Sequence, residues 1–301
     1  MPLKNTLHVD QQLSNVSIKY TNKNFVAKEL FPSVPVKKDS DLYRVYDRNF
    51  KLPETARASS GMAREWDFQV STSSYVLQQH SLKAYVSDRD VENYDISSLM
   101  ADQTENLTDT IMLRMEQSVA SLITTTSWSQ STTLTAAQQW NGTTTANPIV
   151  QFDTGTGVVL HQSGNMPNVA LVPWASLIAA KNNTQVIERI KYTSADITPA
   201  MIAGLFDMQK LLVPKAVIDS AADGLAASVA ALYNDNVLIA YVADSPGPLK
   251  ASAGYIFQNS IPMVKRWRSE ERQSECVEVN LHYAAKVISS LSGYLLKDTN
   301  A

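Results

Sequence analysis

Residues 99–124 read LMADQTENLTDTIMLRMEQSVASLIT, and their spacing decides the architecture. Leu107, Ile111, Met115, Val119 and Leu122 stand mostly four apart, which lines them along one stripe of a helix. The spacing predicts a helix from near Leu99 to near Thr124. At the standard rise it runs roughly 35–40 Å, long for a compact domain and suited to a spine under a flat molecule.

Upstream of this helix, residues 37 to about 90 read as β-structure. Leu42-Tyr43-Arg44-Val45-Tyr46 is a short strand of aromatic and β-branched residues, and Trp66-Asp67-Phe68-Gln69-Val70 alternates with period two. Between them, Phe50 to Arg64 is polar and carries Pro53, Ser59, Ser60 and Gly61. That pattern predicts a long hairpin with a flexible tip, after which Tyr75 to Val86 continues as strand. Residues 1–36 have scattered apolar positions without a helical period. Within Leu30-Phe31-Pro32-Ser33-Val34-Pro35-Val36, two prolines favour extended chain. The expectation is an extended arm with no core of its own, lying either on its own body or on a neighbouring copy.

Downstream, residues 124–147 are rich in Thr, Ser and Gln and read as loop and short helix, with Trp128 and Trp140 as anchors. From about 167 the pattern alternates between β and α. Val169–Val172 is a buried strand and Trp174–Lys181 a short helix. Thr198-Pro199 supplies an N-cap followed by proline at the first helical position. Leu211–Val213 and Val217-Ile218 look like strands, and Val237–Val242 is the most apolar strand of the chain. Residues 167–245 therefore make a plausible α/β block. The tail returns to β at Tyr255–Phe257, Met263–Trp267, Cys276–Tyr283 and Lys286–Leu296, expected to rejoin the long-helix region so that one domain is built from two pieces of chain.

Composition excludes several function classes. With 44 % apolar and 18 % charged residues the chain is globular, not disordered. Its 26 basic and 29 acidic residues leave a net charge of −3, so no broad cationic field grips DNA or an anionic membrane. No run approaches the ~18 apolar residues of a membrane span. Met1–Tyr20 lacks the basic and apolar regions of a signal peptide, and Cys276 is the single cysteine. A soluble cytoplasmic product is expected.

Motifs for chemistry are missing as well. There is no His-Glu-x-x-His, no Cys-x-x-Cys, no phosphate-binding Gly-x-x-x-x-Gly-Lys and no Gly-x-Ser-x-Gly. His8, His80, His161 and His282 stand far apart without acidic or cysteine partners at ligand spacing. Cys276 and His282 share one expected strand but lie roughly 20 Å apart along it, too far for a nucleophile–base pair; a small buried thiol is the better reading. Lys265-Arg266-Trp267-Arg268 looks like a nucleic-acid patch, yet Glu270 and Glu271 follow at once and cancel its field, so a solvated or inter-subunit salt-bridged strand is expected. Asp88-Arg89-Asp90 and Glu188-Arg189 read as candidate interface ion pairs. The five tryptophans read as packing anchors.

Several passages resemble the major capsid proteins of tailed bacteriophages. Lys23-Asn24-Phe25-Val26-Ala27-Lys28-Glu29-Leu30-Phe31-Pro32-Ser33-Val34-Pro35-Val36 is similar to their N-terminal arms. Leu42 to Asp47, followed by Leu52-Pro53-Glu54-Thr55, is similar to their extended loop, and Glu105–Glu116 to the start of their spine helix. Trp140-Asn141 with Asn147-Pro148-Ile149, and Val186-Ile187-Glu188-Arg189-Ile190-Lys191-Tyr192-Thr193, match further passages. So do Asn236–Val242, Gly254–Phe257 and Gly293–Leu296. The order of these motifs from about residue 20 to the end makes the likeness specific.

The resemblance implies an α+β Hong Kong 97-like capsid fold. Residues 1–36 would be the arm and 37–75 the extended β-hairpin loop. The peripheral domain would span 76–166, completed by 246–301, and the axial domain 167–245. The implied function is self-assembly into pentamers and hexamers of an icosahedral shell enclosing double-stranded DNA, held without sequence-specific contacts. A nanocompartment shell of the same fold around a cargo enzyme is the alternative. An enzyme with a site hidden in the α/β block, or another virion component, ranks lower. Implied partners are other copies of the chain, a separate scaffolding protein, a portal and a decoration protein, with no cofactor, metal, membrane or catalytic residue. The place is the virion capsid, assembled in the host bacterial cytoplasm. Because the chain begins almost at the arm, a separate scaffold or prior cleavage is expected, and no Lys–Asn cross-linking pair can be matched. Expected inter-subunit contacts are the arm anchors Phe25 and Phe31, the loop base Tyr46 and Trp66, and Arg189 and Tyr192. Deleting Met1–Phe31 is expected to block shell stability while leaving a folded monomer.

Overall fold

The structure, a computed structural model, describes residues 8, 9, 13, 14, 17, 24–45, 52, 54–57, 59, 61–65, 71–93, 99–126, 128–141, 146–191, 198–222, 224–248, 250–259 and 262–300. In chain order the elements are β1 (His8–Val9), α1 (Ala27–Leu30), β2 (Ser33–Pro35), β3 (Ser40–Val45), β4 (Ser71–Val76), β5 (Gln78–Ser87), α2 (Asp88–Asn93), α3 (Leu99–Thr125) and β6 (Gln130–Thr133). There follow α4 (Pro148–Ser163), β7 (Val169–Leu171), α5 (Trp174–Asn182), α6 (Thr184–Ile190), α7 (Pro199–Leu205), β8 (Lys210–Leu212), β9 (Val217–Asp219) and β10 (Val229–Ala231). The chain closes with β11 (Val237–Ala240), β12 (Gly254–Gln258), β13 (Met263–Ser269), β14 (Ser274–Val287) and β15 (Gly293–Lys297).

Two sheets organise the molecule. In the first, β14 pairs with β5 along one edge and with β13 and then β12 along the other, all antiparallel. The outer places are taken by the N-terminal segment, β1 on β13 and β2 parallel to β12. The long helix α3 lies against this sheet. Its buried positions Ile111, Met115, Val119 and Ile123 meet Val264, Val277, Val279 and Leu281 in one core, as the four-residue spacing requires.

The second sheet runs β6-β15-β11-β7-β8. It is covered on both faces, which explains the uninterrupted apolar run of β11. Leu171, Leu238, Ala240 and Leu295 point into the α3 core. Ala170, Val237, Ile239, Tyr294 and Leu296 point the other way, into a core with Phe152, Val159, Leu177, Val186 and Ile202 from α4–α7. Thr198 caps α7, accepting from the Met201 N–H at 3.3 Å, with Pro199 at the first turn.

Three readings of the sequence change. Residues 130–133, expected to be loop or short helix, form the exposed edge strand β6, because β15, distant in sequence, offers a parallel partner. The helix α4 was not expected, since Gly155, Gly157 and a run of β-branched residues weaken its helical signal. Asn147 caps it, and Gly155 is required where the helix crosses the sheet: a Cβ there would meet Ile239 and Tyr294 side-chain atoms at 2.7 Å. The second sheet also draws β6 and β15 from outside 167–245, so that segment does not complete its own sheet.

Candidate assembly surfaces

The N-terminal segment is tied to the rest of the chain at several described points. The Ser14 hydroxyl accepts from the Val264 N–H at 3.2 Å, and the Ser17 and Thr108 hydroxyls bond at 2.8 Å. The firmest attachment is at α1. Glu116, buried at 1 % exposure on α3, accepts from the Val26 N–H at 3.0 Å and the Ala27 N–H at 2.8 Å. The Tyr233 hydroxyl donates to the same carboxylate at 2.7 Å. One side chain thus clasps the arm, the long helix and the turn after β10. Burial raises the Glu116 pKa, and the three donors pull against that rise without cancelling it. Tyr233 is driven up by its own burial and by the Glu116 charge, so it stays a donor.

Phe31 corrects the expectation of an inter-subunit anchor: it is 0 % exposed and packs inside its own core. Its ring lies against Gly254, where a Cβ would stand 2.6–2.8 Å from ring carbons. Phe25 is half-buried. Since Val26, Ala27, Leu30 and Phe31 all belong to the core, deleting residues 1–31 would remove part of the fold itself, and the deletion is no clean test of assembly.

The hairpin pairs from Ser40↔Val76 to Val45↔Ser71. Tyr46 and Trp66, the expected base, lie outside the described residues. Tyr43 and Tyr75 do anchor the base, and their place in the alternation was the signal that could have named them. Tyr75 stacks on Phe257 with centroids 4.5 Å apart, and Tyr43 tilts against the same ring at 5.5 Å. Tyr75→Ala should therefore lower chain stability by about 3–5 kcal/mol, the usual loss for a buried ring, read by denaturant unfolding. Beyond the base, the described loop residues between 52 and 65 are all exposed, Leu52 by 92 % and Met62 by 97 %.

Arg189 is exposed on α6, while its neighbour Glu188 pairs with Lys191 at 2.8 Å. Tyr192 lies outside the described residues. In β13, Arg268 grips Asp88 through two bonds of 3.0 and 2.8 Å, and Arg266 bonds Glu275 at 2.5 Å. These pairs form within the chain, and the Arg268 hydrogen bond holds the Asp88 carboxyl below the usual carboxylate range. Cys276 is buried, and burial pushes its thiol up. Among the described residues no group of three His, Cys, Asp or Glu is placed to hold a metal, and no helix is long and apolar enough to cross a membrane.

No family model matches the sequence. The major capsid protein of Burkholderia phage BcepMu is 24 % identical over 303 residues, covering 97 % of each chain. A phage-related protein of Bordetella bronchiseptica RB50 superposes with a TM-score of 0.80 at 22 % identity, covering 98 % of this chain and 99 % of that one. The capsid of cyanophage P-SCSP1u superposes with a TM-score of 0.60 at 14 % identity, covering 93 % and 89 %. With its long helix, paired hairpin and double-sheet body, the chain has the α+β, Hong Kong 97-like fold of phage capsids, and a phage major capsid protein matches it over nearly its whole length.

Proposed function

We propose that this chain is the major capsid protein of a tailed phage, a structural protein that copies itself into an icosahedral shell. The observation that carries the reading is the near end-to-end match to a phage major capsid protein, on a chain with the capsid fold. The exposure of every described loop residue between 52 and 65 supports it, because such a surface makes sense when a neighbour covers it. Each contact is modest, and a closed shell multiplies modest contacts. The nanocompartment alternative is not favoured, since the sequence relatives are phage capsid proteins.

In this reading residues 1–36 are the arm, 37–75 the extended loop, 76–166 with 246–301 the peripheral domain, and 167–245 the axial domain meeting around five-fold and six-fold axes. Strands β6 and β15 then tie the axial block to the peripheral one. Phe25, Tyr46, Trp66, Arg189 and Tyr192 remain the proposed contact residues. A scaffolding protein, a portal and a decoration protein would act with the shell, assembled in the host cytoplasm. The net charge of −3 suits a container that encloses double-stranded DNA without gripping it.

Electron microscopy of the purified chain, with light scattering across concentration and salt, tests the proposal. Closed shells, or rings of five and six, are the expected result. A monodisperse small oligomer under every condition, even with the neighbouring viral genes co-expressed, would overturn it.

A further inference from the structure

Strands β9 and β10 pair with each other and with no further strand among the described residues. A two-stranded ribbon is marginally stable in water unless something packs on it. This one carries its apolar side chains in the open. All residues from Gly224 to Ala231 are exposed, Leu225 by 73 %. Alternate residues of a strand point to opposite faces, and β10 is exposed at all three positions, so both faces of that strand are uncovered. Val217, paired with Ala231, adds a further exposed apolar side chain.

A cleft of about 410 Å³ lies at the foot of the same ribbon, lined by its Val217 and Ala231. Trp174, from the start of α5, Pro214 and Tyr233 make the cleft apolar and aromatic. Tyr233 gives its hydroxyl to Glu116, while Trp174 is left 49 % exposed. Lys215 is the single charged residue in the lining, and its ammonium stands 5.6 Å from the centre of the Trp174 ring. The ribbon has the opposite charge. From 216 to 249 the sequence holds no Lys, Arg or His, and Asp219 is exposed. Asp219 Oδ1 accepts from the Ala221 and Ser228 N–H groups at 2.9 Å each, which keeps the carboxyl below the usual carboxylate range and therefore charged.

An apolar knob and an apolar cleft, with charges of opposite sign, thus stand on one chain. Leu225 does not line the cleft of its own chain, so their pairing takes two copies. We propose that the cleft of Trp174, Val217 and Tyr233 receives the β9–β10 ribbon of a second copy, with Leu225 in the apolar space and Asp219 toward Lys215. Each copy then gives a ribbon on one side and a cleft on another, a heterologous contact that closes into a ring when the rotation allows. The inference rests on the shell-forming reading and adds to it the side chains of one contact. Trp174 would be its anchor, since aromatic side chains dominate such contacts. The Asp219–Lys215 pair would set the register more than it would add raw affinity.

Site-directed cross-linking on the full-length chain is the test. Leu225→Cys and Ala175→Cys, at exposed positions of the ribbon and the cleft, are combined in one chain, whose native Cys276 is buried. A short bis-maleimide added to assembled particles should join position 225 of one copy to position 175 of the next, read by peptide mass spectrometry. The ladder of linked chains should disappear when either substitution is left out. Independently, Leu225→Asp should raise the concentration needed for half-assembly by about tenfold or more, while the melting of the unassembled chain stays unchanged because the residue is exposed. Ala175→Trp, which fills the cleft from an exposed position, should show the same defect. Assembly of both variants at the wild-type concentration, or particles without the 175–225 link, would overturn the pairing and leave the cleft to another partner. Absence of particles from the wild-type chain would instead sink the shell-forming reading, and this pairing with it.

Discussion

Replacing Glu116 with alanine should destabilise the unassembled chain by about 3–5 kcal/mol, the range seen when one member of a buried charged network is removed. The change strands the Val26 and Ala27 N–H groups and the Tyr233 hydroxyl, all of which now end on one carboxylate. Against a total stability of about 5–15 kcal/mol, that is a large fraction. Glu116→Gln keeps the volume but replaces one acceptor oxygen with a donor facing donors, so its loss should be smaller, about 1–3 kcal/mol. Hydrogen exchange locates the effect: protection of the Val26 and Ala27 amides should fall in both variants. Unchanged protection there would show that the clasp does not hold the arm.

The same carboxyl gives the chain a pH dependence of known sign. Burial raises the folded-state pKa of Glu116 above its ordinary value of 4.5. The contribution to stability is then fully present below that ordinary value and is lost as pH rises through the raised folded-state value. Glu116→Gln should remove this part of the slope, measured as unfolding free energy from mild acid to neutrality. A variant with the wild-type slope would assign the dependence to other groups.

The second large effect lies where the arm crosses β12. Gly254→Ala places a methyl group into the space of the Phe31 ring, which stands 2.6–2.8 Å from the new atom. Overpacking of this kind typically costs about 1–3 kcal/mol. Phe31→Ala removes a fully buried ring, and its expected loss is about 3–5 kcal/mol. The two substitutions share one contact, so their sum should exceed the double variant's loss. In Gly254→Ala/Phe31→Ala the methyl group enters the space the ring has left, and the double-mutant cycle should show coupling. Additive losses, read by urea unfolding, would mean that the ring and the glycine do not depend on one another.

These sites were legible in the sequence to different degrees. The stripe Ile111, Met115, Val119 named the buried face of α3, because one helix face is a local periodic property. Glu116 lies beside that stripe and read as an ordinary helix carboxylate. Nothing local says that backbone 90 residues away will end on it. The alternation of Leu42–Tyr46 announced a strand, and Tyr43 was in it, but the ring it meets, Phe257, comes from the other end of the chain. The register of β3 on β4 places Tyr43 and Tyr75 on one face, against the same ring.

By itself the sequence determined the long helix, the hairpin, the apolar strand Val237–Val242, the capped helix at Pro199 and the absence of known catalytic motifs. Each depends on periodicity, capping or composition, which act over a few residues. Only the tertiary structure decided that β6 pairs with β15, that Phe31 belongs to its own core, that Arg266 and Arg268 close ion pairs within the chain, and that Glu116 clasps the arm. Those outcomes depend on which distant segments meet. The meeting is set by the burial of both faces of the second sheet and, in the first, of the face under α3 and the patch around Phe257 under the hairpin base, a property of the whole chain that no short window contains.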